Sequence, residues 1–173
     1  MKILEPQDII WSKKRYMDLE NLILHKVVDL YKTYMADRLI SVILFGSHAR
    51  GDAKETSDYD LFIIATELPP KPFQRVLFIR TPLRGQFDAK ICIIAKTPEE
   101  ILKGFPPLYL DLGLDGVILF DQNDFFKNLQ VKIRNIIRQA GLQSKRDNGE
   151  FYWEWEIPPQ KGWEITCEGF RAL

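Results

Sequence analysis

Hydrophobic positions change their period along this chain, and each change marks an element. From Leu19 to Tyr34 the apolar side chains fall at Leu19, Leu22, Ile23, Val27, Leu30, Tyr31 and Tyr34, the three-and-four spacing of a helix that buries one stripe. Leu39 to Phe45 is almost wholly apolar and rich in branched side chains, which reads as a strand covered on both faces. It stops at Gly46. Further strands are expected over Tyr59 to Ala65 and Phe87 to Ala95. The basic, Pro-rich segment between them, with Pro69, Pro70 and Pro72, reads as a loop with room for a short helix. At Thr97-Pro98-Glu99-Glu100 a hydroxyl cap, a proline in the first helical position and a glutamate three residues past the cap announce a helix that should stop near Gly104. Pro106-Pro107 opens another to about Leu112, and Val117 to Phe120 follows as a short strand.

Asp121 to Asp124 supply caps for a long helix that carries Phe125, Phe126, Leu129, Ile133, Ile136, Ile137 and Ala140 on one face and ends at Gly141. Beyond it, Phe151 to Glu156 alternates aromatic and acidic side chains with a strand's period of two. Pro158-Pro159 and Gly162 then turn the chain back into a second short strand, Trp163 to Thr166. Trp153 and Trp155 share a face of the first, and that face is expected to cover the core or a second subunit. Strands alternating with helices point to an α/β arrangement. Residues 1–141 are expected to form one domain, and residues 142–173 a tail packed on it or on a partner copy. With 173 residues, 46% of them hydrophobic, the chain can bury the core of one domain and has little room for a second.

Charge narrows the function classes. Basic and acidic residues balance at 24 each, so no global field gathers nucleic acid or an anionic membrane, and any polyanion must be bound locally. No run reaches about 18 uninterrupted apolar residues, and Glu5, Asp8, Lys13 and Lys14 stand where a signal peptide needs an apolar stretch. A cytoplasmic protein with no membrane partner is expected. Cys92 and Cys167 are too few for a disulfide framework or a zinc cluster, and Cys92, inside the apolar run Lys90 to Ala95, reads as a small core residue.

The chemistry gathers after the first strand. Phe45 delivers the chain into Gly46-Ser47, a strand-to-helix turn whose backbone N–H groups and hydroxyl can seat a phosphate. Gly-Ser by itself is common in tight turns. Asp58 and Asp60 bracket one residue, so in a strand both project from the same face while Tyr59 and Leu61 project from the other. Hard oxygen ligands side by side suit Mg²⁺ and the phosphates of a nucleotide. Arg50 reads either as facing a triphosphate or as pairing with an aspartate, Ser57 more as a turn cap than a substrate contact, and His48 as a motif position of no fixed type. Lys71, Arg75, Arg80, Arg84 and Lys90 could steer an anion toward the carboxylates, and ordinary solvated surface charge explains them as well. The tail aromatics lack interleaved Lys or Arg and carry glutamates, which favours packing over base stacking and leaves no strong nucleic-acid signal.

The run Gly46-Ser47-His48-Ala49-Arg50-Gly51 followed by Ser57-Asp58-Tyr59-Asp60-Leu61 resembles the signature of the DNA polymerase β-like nucleotidyltransferases, and most closely the minimal nucleotidyltransferases. That resemblance implies a mixed α+β sheet flanked by helices, and transfer of a nucleoside monophosphate, AMP above all, from an NTP with release of pyrophosphate. It places the nucleotide at Gly46 and Ser47, with Arg50 and Ser57 as further contacts, and the catalytic metal at Asp58 and Asp60. The family also calls for a third acid on a neighbouring strand, for which Asp88 is the candidate, so that two Mg²⁺ ions clamp the attacking and leaving oxygens. The acceptor would be a hydroxyl of a protein or RNA, and the partner a HEPN-class toxin or a second copy of the chain. A small-molecule transferase of the aminoglycoside type and a catalytically silent nucleotide-binding module are the alternatives.

Overall fold

The computed structural model describes residues 22–147, 150–159 and 162–171. Residues 22–35 form helix α1, followed by β1 (Leu39–Phe45), α2 (Gly46–Arg50), β2 (Tyr59–Ala65), α3 (Pro72–Arg80), β3 (Ile91–Lys96), α4 (Pro98–Leu102), α5 (Leu108–Asp115), β4 (Val117–Asp121) and α6 (Phe125–Ala140). Two hairpins close the chain: β5 (Leu142–Asp147) with β6 (Glu150–Trp155), and β7 (Glu164–Thr166) with β8 (Gly169–Arg171). The expected start of the first helix at Leu19, and the N-terminal charges, lie outside the described residues.

The main sheet has the order β3-β2-β1-β4. β1 pairs antiparallel with β2 and β4, whereas β2 and β3 run parallel, so the sheet is mixed. The unbroken apolar run of β1 is explained by what covers it. Val42 and Leu44 point into a cluster with Val27, Tyr31 and Met35 of α1 and Ile79 of α3, whereas Ile43 joins Phe62 and Ile64 against Ile101, Tyr109, Leu112, Phe126 and Ile133 of α4 to α6. Both faces are therefore dry, and alternate residues of one strand serve two cores. The fold is the mixed α+β sheet flanked by helices that the motif led us to expect.

The structure corrects several boundaries. The Pro-rich segment holds a nine-residue helix, with Pro72 in its first turn, where proline's missing N–H costs nothing. β3 begins at Ile91, not Phe87, because residues 87–90 bend before the backbone enters the ladder with β2. Asp88 therefore lies in the bend and not in the strand. Cys92 is exposed, so it is not the core residue its neighbours suggested. The strand over residues 164–166 pairs with β8, whereas β6 pairs with β5, a strand of Gln143, Ser144, Lys145, Arg146 and Asp147 with one buried residue, Leu142. Trp153 and Trp155 pack with Leu110, Ala140 and Leu142 of this same chain.

Candidate active site

One end of the sheet collects the motif. Phe45, the last residue of β1, lies in register with Asp60, the second of β2, and Asp60 lies in register with Cys92, the second of β3. Across the sheet the order is thus Gly46, Asp60, Cys92. Gly46 turns the chain with φ +72°, and a β-carbon there would collide with the Asp60 carboxylate. Only glycine meets both demands, a left-handed backbone and a close approach. Ser47 follows half-buried in α2, whose first turn carries no side-chain cap, so its leading N–H groups are left for another acceptor.

Asp58 is exposed and Asp60 half-buried. Burial raises the Asp60 carboxyl above its usual value, and the neighbouring Asp58 charge raises it further. His48, Arg50 and a hydrogen bond donated by the Cys92 thiol oppose that rise. Like charges at one strand end leave an electrostatic deficit that a cation relieves. His48 itself is buried, stacks on the Tyr59 ring at 4.0 Å and places Nε2 at 3.4 Å from the Ser57 carbonyl. Because Tyr59 faces away from both carboxylates, this stack pins the strand so that Asp58 and Asp60 share the other face. Sequence reasoning gave His48 no role. A histidine between Ser47 and Ala49 carries no periodic signal, and only the strand reversal shows what it touches.

The remaining residues fall into place around that pair. Ser57 closes a tight turn with Lys54, its Oγ accepting from the Lys54 N–H at 2.9 Å while its own N–H donates to the Lys54 carbonyl. Arg50 lies with Nε 3.6 Å from Asp52 Oδ1 and its guanidinium 4.1 Å from the Phe151 ring. Asp88 is exposed in the bend before β3. Among the described residues, no group of three or more His, Cys, Asp or Glu side chains is gathered to hold a metal.

Asp58 and Asp60 fit one Mg²⁺, because that ion is held through one or two carboxylates completed by substrate phosphates and water, not by an all-protein cage. A second ion lacks a carboxylate beside Asp60, where Cys92 stands. On the far side of β3, a groove of about 680 Å³ runs between that strand and α3 and reaches Asp58 and Cys92.

Comparison with known proteins places this arrangement. The model of the family described as "Polymerase beta, Nucleotidyltransferase" matches residues 14–104, which contain the turn, both aspartates and all of β3. A protein of Methanocaldococcus jannaschii named "Putative protein adenylyltransferase MJ1305" is 35% identical over 123 residues, covering 69% of this chain and 84% of its own. A second from the same archaeon, of the same name but numbered MJ0141, is 42% identical over 60 residues, 34% of this chain and 61% of its own. Among solved structures, a chain from "Crystal structure of the toxin-antitoxin with AMP-PNP" shares the fold with a TM-score of 0.51 at 18% identity, covering 67% of this chain and 87% of that one. With the matched segment spanning the Gly-Ser turn and the paired carboxylates, the chain belongs to the polymerase beta nucleotidyltransferase family and is a nucleotidyltransferase enzyme.

Proposed function

We propose that this enzyme transfers AMP from ATP to a hydroxyl of a partner protein, with Mg²⁺ at Asp58 and Asp60. The observation that carries the reading is the abutment of Gly46 on the Asp60 carboxylate, which sets a phosphate seat and a metal-ligating oxygen side by side. The relatives named as protein adenylyltransferases support AMP and a protein acceptor, and the toxin-antitoxin structure with AMP-PNP supports an adenine nucleotide and a toxin as the partner.

The residues divide the work. Backbone N–H groups at Gly46 and Ser47, with the Ser47 hydroxyl, hold the triphosphate and keep its leaving end still. Asp60 abuts that seat, and Asp58, two residues before it, offers the second carboxylate on the same face. Bound Mg²⁺ would supply charge stabilisation at the phosphate oxygens. Asp88, exposed in the bend before β3, is not gathered with Asp58 and Asp60 among the described residues, so the reading places one ion and gives Asp88 no share in it. His48 and Tyr59 hold the aspartates in position. Arg50, kept beside Asp52, adds positive charge at the edge of the seat, and Ser57 shapes the turn that delivers Asp58.

Incubating the protein with Mg²⁺, α-labelled ATP and the product of the adjacent gene tests the reading. Label should appear on that protein, and Asp58→Asn should reduce it by at least 10²-fold. Label on no protein would end the proposal, and label on a small molecule would move it to the aminoglycoside type.

A further inference from the structure

Cys92 stands where a second metal ion would need an oxygen. Two ions only ~3.5–4 Å apart need a carboxylate between them and hard oxygen ligands on either side of it. Asp60 is the acid placed to lie between. Its Oδ2 faces Gly46, which has no side chain, and its neighbour in register on the other side is Cys92. In-register residues of paired strands lie ~4.8 Å apart, and the Cys92 thiol donates a hydrogen bond to the Asp60 carboxylate. A thiol with its proton aimed at Asp60 offers that flank a hydrogen and no hard oxygen. Sulfur suits soft ions in any case, whereas Mg²⁺ takes oxygen.

The charge on this side acts in the same direction. The groove that reaches Asp58 and Cys92 also carries Arg80, Arg84 and Lys90, all exposed, and Asp58 is the only acid among its lining residues. The Lys90 carbonyl accepts from the Tyr59 N–H at 2.9 Å, which continues the register one residue outward and sets Lys90 across from Asp58. That balance disfavours a further cation on the β3 side. Asp88 does not correct it, because it stays exposed in the bend and is not gathered with the pair among the described residues.

We infer that Cys92 sets the ion count: it limits the site to the single Mg²⁺ of Asp58 and Asp60, and a carboxylate in its place admits a second. This rests on the nucleotidyl-transfer reading above and makes one side chain of β3 the determinant of the metal stoichiometry.

The test uses the full chain, Mn²⁺ in place of Mg²⁺, and the α,β-methylene analogue of ATP, whose bridging carbon prevents release of pyrophosphate. Ultrafiltration followed by metal and nucleotide assay counts the ions retained with the protein for each retained analogue. The native chain should retain one. Cys92→Asp should retain two, and Cys92→Asn, with the same shape and no charge, should stay at one. The paired ions of Cys92→Asp should also give a spin-coupled manganese resonance, where the native chain and Cys92→Asn give that of an isolated ion. Cys92 is exposed, circular dichroism checks each fold, and Cys92→Glu carries the same test if Cys92→Asp does not fold. Two ions in the native chain, two in Cys92→Asn, or one in the folded carboxylate variants would each overturn the assignment while the nucleotide site stands. A native chain that retains neither analogue nor ion would remove the nucleotidyl-transfer reading, and this inference with it.

Discussion

Gly46 and Asp60 constrain each other atom by atom, and both consequences are measurable. Replacing Gly46 by Ala asks an L residue to hold φ +72° and drives a methyl group into the carboxylate, a strain of about 1–2 kcal/mol before any displacement. MgAMP-PNP affinity, read by calorimetry, should fall at least tenfold in Gly46→Ala. Asp60 makes the opposite kind of prediction. Its folded carboxyl holds a proton more tightly than the unfolded one, through burial and then the Asp58 charge. Linkage then makes stability greatest below the unfolded value near ~3.9 and lowers it as pH rises through the folded value. At neutral pH the ionised pair costs stability until a cation arrives. Asp60→Asn should therefore melt above the native protein without metal and lose the Mg²⁺-dependent rise. An unchanged or lower melting temperature would refute this account of the site.

Elements α3 and α4 are tied across β3 by one ion pair. Arg75 reaches Glu100 through two hydrogen bonds of 2.6 and 2.8 Å and donates Nε to the Pro69 carbonyl at 2.8 Å. The same glutamate completes the capping box with Thr97. The hydrogen bond from Arg75 holds the Glu100 carboxyl down at about 2. The stability it adds is complete above the unfolded value near ~4.3 and is lost as pH falls toward the folded one. Glu100→Gln should cost about 1–2 kcal/mol at pH 7, roughly 2–8 °C in melting temperature, and much less at pH 2. An equal loss at both pH values would show that shape, not charge, carries the contact. The capping box was legible because each of its parts is a residue type at a fixed offset. α3 was not, since prolines precede it and Phe73, Val76 and Leu77 occupy the face it leaves open. β3 was placed early for a related reason. Phe87 and Ala89 continue the inward alternation of Ile91 and Ile93 and pack on the same core, although their backbone is outside the ladder. β5 gave no signal because one of its six residues is buried. The site followed the same division: the turn and the carboxylate pair are local in sequence, whereas Cys92 beside Asp60 and His48 under Tyr59 arise only from register.

On the scale of the molecule, the C-terminal hairpin reaches Arg50 at the end of α2, next to the Gly46-Ser47 turn. Two guanidinium groups lie against the Phe151 ring, Arg50 at 4.1 Å and Arg146 at 5.0 Å, and Asp52 faces both, with Arg146 at 3.3 Å and Arg50 at 3.6 Å. One residue pair further along β6, Trp153 donates Nε1 to Asp111 of α5 at 2.7 Å, and the Glu156 N–H bonds the Gly141 carbonyl at 2.7 Å. α6 in turn fixes the end of α5, since Gln130 donates to the Leu112 and Gly116 carbonyls and Arg134 to the Gly113 carbonyl. Burial raises the Asp115 carboxyl, with Arg50 opposing it, so this arginine is shared among α2, α5 and the hairpin. This chain of contacts sets Arg50 from a distance of a hundred residues along the sequence, and truncating Phe151 is the way to release it. Cation–π contacts are worth about 0.5–2 kcal/mol at such sites, so Phe151→Ala should lower the melting temperature by a few degrees and weaken MgAMP-PNP binding about three- to tenfold. Trp153→Phe removes the bond to Asp111 on the same hairpin without touching Arg50, and should lower the melting temperature with nucleotide affinity intact. If both variants weaken nucleotide binding alike, the hairpin acts through general stability and its grip on Arg50 is incidental. If only Phe151→Ala does, the tail is part of the nucleotide site.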